Sequence, residues 1–222
     1  MKIAATILTA VSMFFISSCG DSSDNTVTNT DTLTSKSNSP TAQTLPPPDT
    51  TKSTADLMKQ MNDMMDKMHT MQVTGDFDVD FANIMIEHHQ SALDMAQVEL
   101  SQGKDEKMKA KAKDIITKQQ KEQLELKDFV QNYEASGMKH AEGELQKSMQ
   151  TMMDNMKSMQ MSGNVDKDFA TMMISHHEDG ISMAKLEVRN GMADKLRQMA
   201  KKGIADQQKD ISELKSFLAS NK

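Results

Sequence analysis

From residue 55 onward, apolar residues recur three and four positions apart and never settle into alternation. That spacing predicts amphipathic helices and no strands. The first helical stretch, residues 55–72, carries Met58, Met61, Met64, Met65, Met68 and Met71 on one face and stops before Gly75. The second contains Asp80-Phe81-Ala82-Asn83-Ile84-Met85-Ile86-Glu87-His88-His89 and runs on through Met95, Ala96 and Glu99. Asp78 reads as its N-cap, Asp80 is well placed for the helix dipole, and Gly103 sits where a left-handed C-cap is expected. The third, residues 105–133, has a buried stripe of Ile116, Gln119, Gln123, Leu126 and Val130.

The same pattern returns at an offset of 88 residues, aligning 57–130 with 145–218 without a gap. Such self-similarity marks a duplication. The second copy has Met149, Met152, Met153, Met156 and Met159 before Gly163. It then has Asp166 as N-cap, Asp168, and Phe169-Ala170-Thr171-Met172-Met173-Ile174-Ser175-His176-His177, followed by Met183, Ala184, Glu187 and Gly191. Its third segment, residues 194–219, repeats the stripe as Ile204, Gln207, Ile211, Leu214 and Leu218. Helices two and three of each copy make four amphipathic helices. The expected fold is therefore all-α: a four-helix bundle from two tandem repeats, with the Met-rich segments as additional helices.

Ahead of the repeats the pattern changes. Lys2 precedes an apolar run, residues 3–16, and then Ser17-Ser18-Cys19-Gly20. This reads as a signal peptide over residues 1–19 ending at a lipidated Cys19, too short for an ordinary membrane span. Residues 20–54, rich in Ser, Thr, Asn and Asp and closing on Pro46-Pro47-Pro48, lack the apolar side chains that offset ordering entropy. They read as a disordered tether that spans on the order of 30 Å as a flexible coil. Residues 55–222 form the helical domain. The expected location is the cell envelope, on the periplasmic side or outer surface.

Composition narrows the chemistry. The net charge is −6 and no basic stripe carries aromatics, which argues against nucleic acid. The chain has a single cysteine, so no thiol pair is available for redox work. It has 23 methionines. Methionine also fills gaps in cores, so only position decides what it does. On the second helix, Phe81, Met85, His88, His89, Ala92, Met95, Ala96 and Glu99 fall within an arc of roughly 120°. Two imidazoles and two thioethers thus share one face, and the arrangement recurs with Met173, His176, His177 and Met183. Thioether sulfur suits Cu(I), imidazole suits copper among other metals, and neither is consumed by disulfide chemistry outside the cytoplasm. Each copy is expected to hold a metal. The stripes Met61, Met64, Met65, Met68 and Met149, Met152, Met153, Met156 are further metal candidates, although leucine would pack there equally well. His69 faces Lys157 in the alignment and reads as solvated; His140 has no counterpart. Gln119 and Gln207 place amides on the apolar face, where they either orient an imidazole or bond a backbone carbonyl or water.

Other sites fit less well. A di-iron carboxylate bundle needs Glu-x-x-His, whereas Glu87 is adjacent to His88. A zinc protease needs His-Glu-x-x-His, and His177-Glu178 is followed by Ile181 in the required place. There is no phosphate-binding or dinucleotide fingerprint, and no catalysis is expected.

The pattern Asp-x-x-Phe-Ala-x-x-Met-Ile-x-His-His, then Met-Ala, then Ile-x-x-Gln-x-x-Glu with a late aromatic, resembles the bacterial family catalogued as domain of unknown function 305. The matches lie at residues 78–96 with 116–129, and at 166–184 with 204–217. The resemblance implies a ferritin-like helical bundle in an exported protein, and copper and silver binding linked to resistance. It implies Met85, His88, His89 and Met95, with their counterparts, as ligands. Two places depart from the family. Glu87 and Ser175 precede the histidine pairs where proline is frequent, and Leu126 and Leu214 with Phe129 and Phe217 stand where methionine and tryptophan are frequent.

The expected function is thus a membrane-tethered protein that binds Cu(I) or Ag(I), with Cu(II) conceivable, for buffering, resistance or transfer to a partner protein. The alternative is a helical structural or interaction lipoprotein whose methionine stripes are packing surfaces. The lipid anchor has a direct test. Cys19→Ser should move the protein from the membrane fraction to the soluble fraction; a processed variant retained on membranes would require another anchor.

Overall fold

A computed structural model of the chain describes residues 50–135 and 143–221. The signal peptide, Cys19, tether residues 20–49 and His140 lie outside the described residues. Six helices follow in order: α1 (Thr50–Thr70), α2 (Phe77–Gln102), α3 (Glu106–Asn132), α4 (Glu144–Ser158), α5 (Val165–Asn190) and α6 (Asp194–Ser220). Among the described residues there is no strand, as the periodicity predicts. None of these helices is long and apolar enough to cross a membrane.

The first helix begins at Thr50, earlier than the methionine spacing suggests. Ser53 is buried and the Thr54 hydroxyl donates to Asp168 Oδ2 at 2.6 Å. Residues 50–54, assigned above to the tether, therefore belong to the folded domain. Side-chain hydrogen bonding supplies an order that composition alone did not show.

Within each repeat, helices two and three form an antiparallel hairpin. The two hairpins then pack through α2 and α5, which also run antiparallel: each N-terminus meets the other's C-terminal turn. This places the repeats about an approximate two-fold axis. The fold is the expected four-helix bundle of α2, α3, α5 and α6. Helix α1 packs against α2 and α5, and α4 against α5.

The caps differ from the expected ones. The N-cap of α2 is Asp76, which accepts from Val79 N at 3.2 Å, and that of α5 is Asn164, which accepts from Lys167 N at 3.0 Å. Asp78 and Asp166 sit two residues further in and reach across to the other repeat. Asp78 accepts from Met192 N and Ala193 N, the latter at 2.8 Å, and so serves α6, whose own N-cap residue Ala193 offers no side chain. Asp166 accepts from Lys104 N and Asp105 N, both at 2.8 Å. A carboxylate facing open N–H groups is a charge-assisted hydrogen bond. The sequence reading had the right residue type but the wrong helix, because the partner lies in the other copy.

Asp80 and Asp168 also do more than face a dipole. Asp80 accepts from Thr74 N, Thr74 Oγ1 and Gly75 N; Asp168 accepts from Ser162 N, Ser162 Oγ and Gly163 N. Each carboxylate ties the preceding loop back onto its helix. Those loops turn at Gly75 and Gly163, whose φ values of 85° and 78° lie in the left-handed region that glycine enters freely.

Gly103 and Gly191 are not left-handed caps. Their φ values are −65° and −63°, open to any residue. Glycine is required for space: a Cβ would overlap the carboxyl of Glu99 or Glu187, four residues back. Both glutamates are fully buried, and no carboxyl oxygen of either meets a donor. Burial, then the neighbouring Asp166, pushes Glu99 up to about 9; burial, then Asp78, does the same for Glu187. Protonated, each can donate to the aspartate that reaches in from the opposite repeat to cap the glutamate's own hairpin.

The buried stripe is shifted in part. Ile115 and Phe129 are buried, while Ile116 and Val130 are half-covered; in α6, Asp210 and Phe217 join the core while Ile204 and Leu218 are half-covered.

Cross-repeat capping predicts where a cap mutant fails. Asp78→Ala should lower stability to urea by about 1–3 kcal/mol. Loss of amide protection should appear at Met192 and Ala193 in hydrogen exchange; loss confined to the start of α2 would contradict the assignment.

Candidate metal centre

Each pair of adjacent histidines lies halfway along its helix. Neighbouring residues on a helix diverge by about 100°, so the two rings of a pair face different partners. His88 and His176 face each other where α2 crosses α5 and stack, with ring centroids 3.6 Å apart and planes tilted by 29°. His89 turns to α3, with Nε2 at 3.1 Å from Glu122 Oε2. His177 turns to α6, with Nε2 at 3.8 Å from Asp210 Oδ2. Ring centroids within the pairs are 6.4 Å apart for His88–His89 and 6.0 Å for His176–His177. Ring contacts join the four imidazoles in the order His89–His88–His176–His177, a bent row in which His89 also lies near enough to His177 to act on it.

The sequence suggests one site per copy; the fold joins both pairs in a single centre. The pairing was not legible because it depends on the antiparallel crossing of α2 and α5. Glu122 ends the Ile-x-x-Gln-x-x-Glu pattern, and Asp210 holds the matched position, but the pattern by itself assigns neither acid a role beside a histidine.

All four rings are buried. Burial, then the neighbouring rings, holds His88 and His176 well below the ordinary imidazole range. Burial, then His89 and the ammonium groups of Lys111 and Lys118, brings His177 down to about 3. These three rings are neutral at neutral pH, the form that binds metal. His176 Nε2–H donates to the backbone carbonyl of His88 at 3.0 Å, since a carbonyl only accepts, and this leaves Nδ1 with its lone pair. Glu122 likewise accepts from His89 Nε2–H. Burial raises the Glu122 carboxyl, but His89 and Lys202 outweigh it and hold the group below its ordinary range. Six imidazole nitrogens are buried without a hydrogen-bond partner: both of His88, both of His177, and Nδ1 of His89 and His176. Buried polar atoms are ordinarily paired, so six orphans in one row call for a ligand.

Met85, Met95, Met173 and Met183 are all buried on the same two helices. Met85 borders a cavity of about 40 Å³ together with His89 and Glu122. Among the described residues, no group of three or more His, Cys, Asp or Glu side chains converges closely enough to hold a metal. Beside His89, the Met85 thioether is a soft donor at hand. Gln207 and His88 converge on Gly180, where a Cβ would come within 2.7 Å of Gln207 Oε1 and 2.9 Å of His88 Cε1. The small residue at this position gives ring and amide their room. Gln119 Oε1 and Gln207 Oε1 are both buried without a donor.

The methionine stripes separate. Met61, Met64 and Met152 are fully buried in the core, and Met156 is half-covered. Met65, Met68, Met71, Met149 and Met153 instead surround a cavity of about 430 Å³ that includes residues of α1, α2 and α4. His69, read as solvated, is exposed and borders this cavity.

The model of a domain of unknown function, DUF305, matches residues 23–130 and again 78–218. The chain belongs to the DUF305 family. A crystallised DUF305 fragment from Deinococcus radiodurans superposes with a TM-score of 0.51 at 18% identity, covering 65% of this chain and 96% of the fragment. That likeness concerns the fold. A second solved structure, described as CopM in the Ag-bound form obtained by soaking, has a TM-score of 0.50 at 27% identity, over 68% of this chain and 98% of CopM. A comparison with curated proteins gives no match. In this DUF305 chain the doubled histidine motif therefore sits on a fold seen in other members, with its two copies facing one another.

The titrations set a pH profile. His177, neutral when folded and protonated at about 6.5 when unfolded, makes stability rise with pH from about 3 to 6.5. Glu99 and Glu187 act oppositely. Their folded values of about 9 exceed the unfolded value of 4.5, so their contribution is complete below 4.5 and is lost as pH rises to 9. Above about pH 6.5 His177 no longer titrates, so the glutamates govern and stability of the metal-free protein should fall from pH 7 to 9. Glu99→Gln with Glu187→Gln should flatten that fall in urea titrations; an unchanged slope would show that the glutamates ionise freely.

Proposed function

We propose that this protein binds Cu(I) or Ag(I) at the imidazole row, with thioether sulfur from Met85, Met95, Met173 and Met183 completing the coordination. It acts in the cell envelope as a buffer or transfer protein, tethered to a membrane through Cys19, and catalyses no reaction. The observation that carries this reading is the set of six unpartnered imidazole nitrogens in a fully buried row. A binder of soft ions is favoured because the Met85 thioether is a soft donor beside His89. The likeness to CopM, crystallised with silver, supports the same class of ligand.

The cavity between α1 and α4 is a second, weaker site in this reading. Its thioethers carry no charge and its one imidazole, His69, is exposed, so affinity should be lower than at the row. The packing alternative holds for Met61, Met64 and Met152, which sit in the core where leucine would serve as well.

Two variants divide these roles. His88→Ala with His176→Ala should abolish the tightest Cu(I) binding in competition with a chelator, because both copies serve one centre. Retention of half the tight capacity would mean two independent sites. Met65→Leu, Met68→Leu, Met149→Leu and Met153→Leu together should cost less than about 1.5 kcal/mol per site and remove only the weaker Cu(I) binding. Full Cu(I) capacity in the folded quadruple variant would return those methionines to packing.

A further inference from the structure

The two halves of the imidazole row are related by the duplication, yet their surroundings differ at five matched positions: Glu122/Asp210 keeps an acid and Leu196/Met108 an apolar side chain, while three others change in kind. Beside His89, α6 contributes Met199, Lys202 and Gly203. Beside His177, the matched positions of α3 are Lys111, Asp114 and Ile115. Each exchange changes what the space can do.

Ile115 is 1% exposed, so its side chain is wholly taken into the core. At Gly203 a Cβ would meet nothing within 4 Å, and the space left over is part of the cavity of about 40 Å³ that reaches His89. Lys111 turns its Nζ onto Asp210 at 3.0 Å and also pairs with Glu213. Lys118 adds a second ammonium on Asp210 at 3.2 Å. The acid beside His177 is thus held by two cations, and His177 stands 3.8 Å from it. In the other half, Met199 replaces Lys111. Glu122 keeps its 3.1 Å contact with His89 and meets only Lys202, at 3.5 Å from a largely exposed side chain. His89 Nδ1 is left without a partner. One end of the row opens on a cavity lined by two thioethers, an imidazole, two carboxylates and the largely exposed Lys202; the other is closed by a hydrocarbon plug and an internal ammonium that repels cations.

We propose that soft metal ions enter and leave the row through a single port at Gly203, with Met199 as the thioether that passes the ion to His89 and Met85, while Ile115 and Lys111 seal the matched position. This rests on the proposed metal binding and adds the route and a ligand from α6. The carboxylate of Glu122 draws a cation toward the mouth, and the two methionines replace its lost hydration with soft ligands. The sealed half holds His177 in place and offers no second exit.

The test writes the sealed half's residue into the open one. Ile is a better helix former than Gly, so Gly203→Ile should fold. Metal transfer is followed by stopped flow as a coloured Cu(I)–chelator complex gives up its ion. Gly203→Ile should slow loading at least tenfold with final capacity unchanged, and Met199→Leu, which keeps the volume, should slow it several-fold. Loading of folded Gly203→Ile at the parent rate would overturn the port. A parent that takes no Cu(I) from the chelator would instead overturn the metal reading itself. A second measurement needs no metal: imidazole Cε1–H exchange in D₂O, read by mass spectrometry on the metal-free protein. Gly203→Ile should slow exchange at His89 and leave His177 unaffected. Equal exchange at His89 in parent and variant would show that the cavity is not the way in.

Discussion

The stacking of His88 on His176 is the constraint around which the molecule is assembled. Two imidazoles with centroids 3.6 Å apart leave no room for charge, since two adjacent cations in a buried site would repel strongly. Neutrality of His88 and His176 follows, and with it the retention of lone pairs. The same contact fixes how α2 meets α5. Once the helices cross antiparallel at their midpoints, Asp78 must arrive at the start of α6 and Asp166 at the start of α3. The polar ends of the bundle and its polar middle are thus consequences of one crossing.

Burying so many polar groups would be costly if each had to stay charged or unpaired. The fold handles them in two ways. At the ends, Glu99 and Glu187 take up a proton and sit against aspartates that are already occupied by backbone N–H groups. In the middle, burial holds His88, His176 and His177 neutral. Acids hold protons where a charge would be repelled, and bases release them for the same reason. The glycines at 103, 180 and 191 serve this arrangement by keeping Cβ atoms away from a carboxyl, a ring or an amide.

Much of this was legible in the residues. Helical spacing, the duplication and the face shared by methionine and histidine follow from local geometry, which the sequence records directly. What could not be read is whatever depends on a partner in the other copy. Asp78 looked like a cap for its own helix because nothing local distinguishes it from one that serves a distant helix. Gly103 looked like a turn glycine because its true neighbour, Glu99, becomes a close contact only when both are buried. Two histidine pairs looked like two sites because adjacency along the chain says nothing about crossing. Comparing the copies for likeness found the motif. Comparing them for difference, at Gly203 against Ile115 and Met199 against Lys111, is what separates the two halves.

The exchange of caps between repeats has an evolutionary reading. The second hairpin alone would lack the carboxylate that closes α6, and either hairpin alone would hold only half the imidazole row. Two identical chains could supply each other's missing parts, but symmetry would then oblige both halves to keep the same opening and the same plug. Joining the halves in one polypeptide removes that obligation. Each copy still completes the other, yet a glycine can persist on one side while an isoleucine settles on the other. Duplication here preserves mutual dependence and, at the same time, permits a division of labour that a symmetric pair of chains could not achieve.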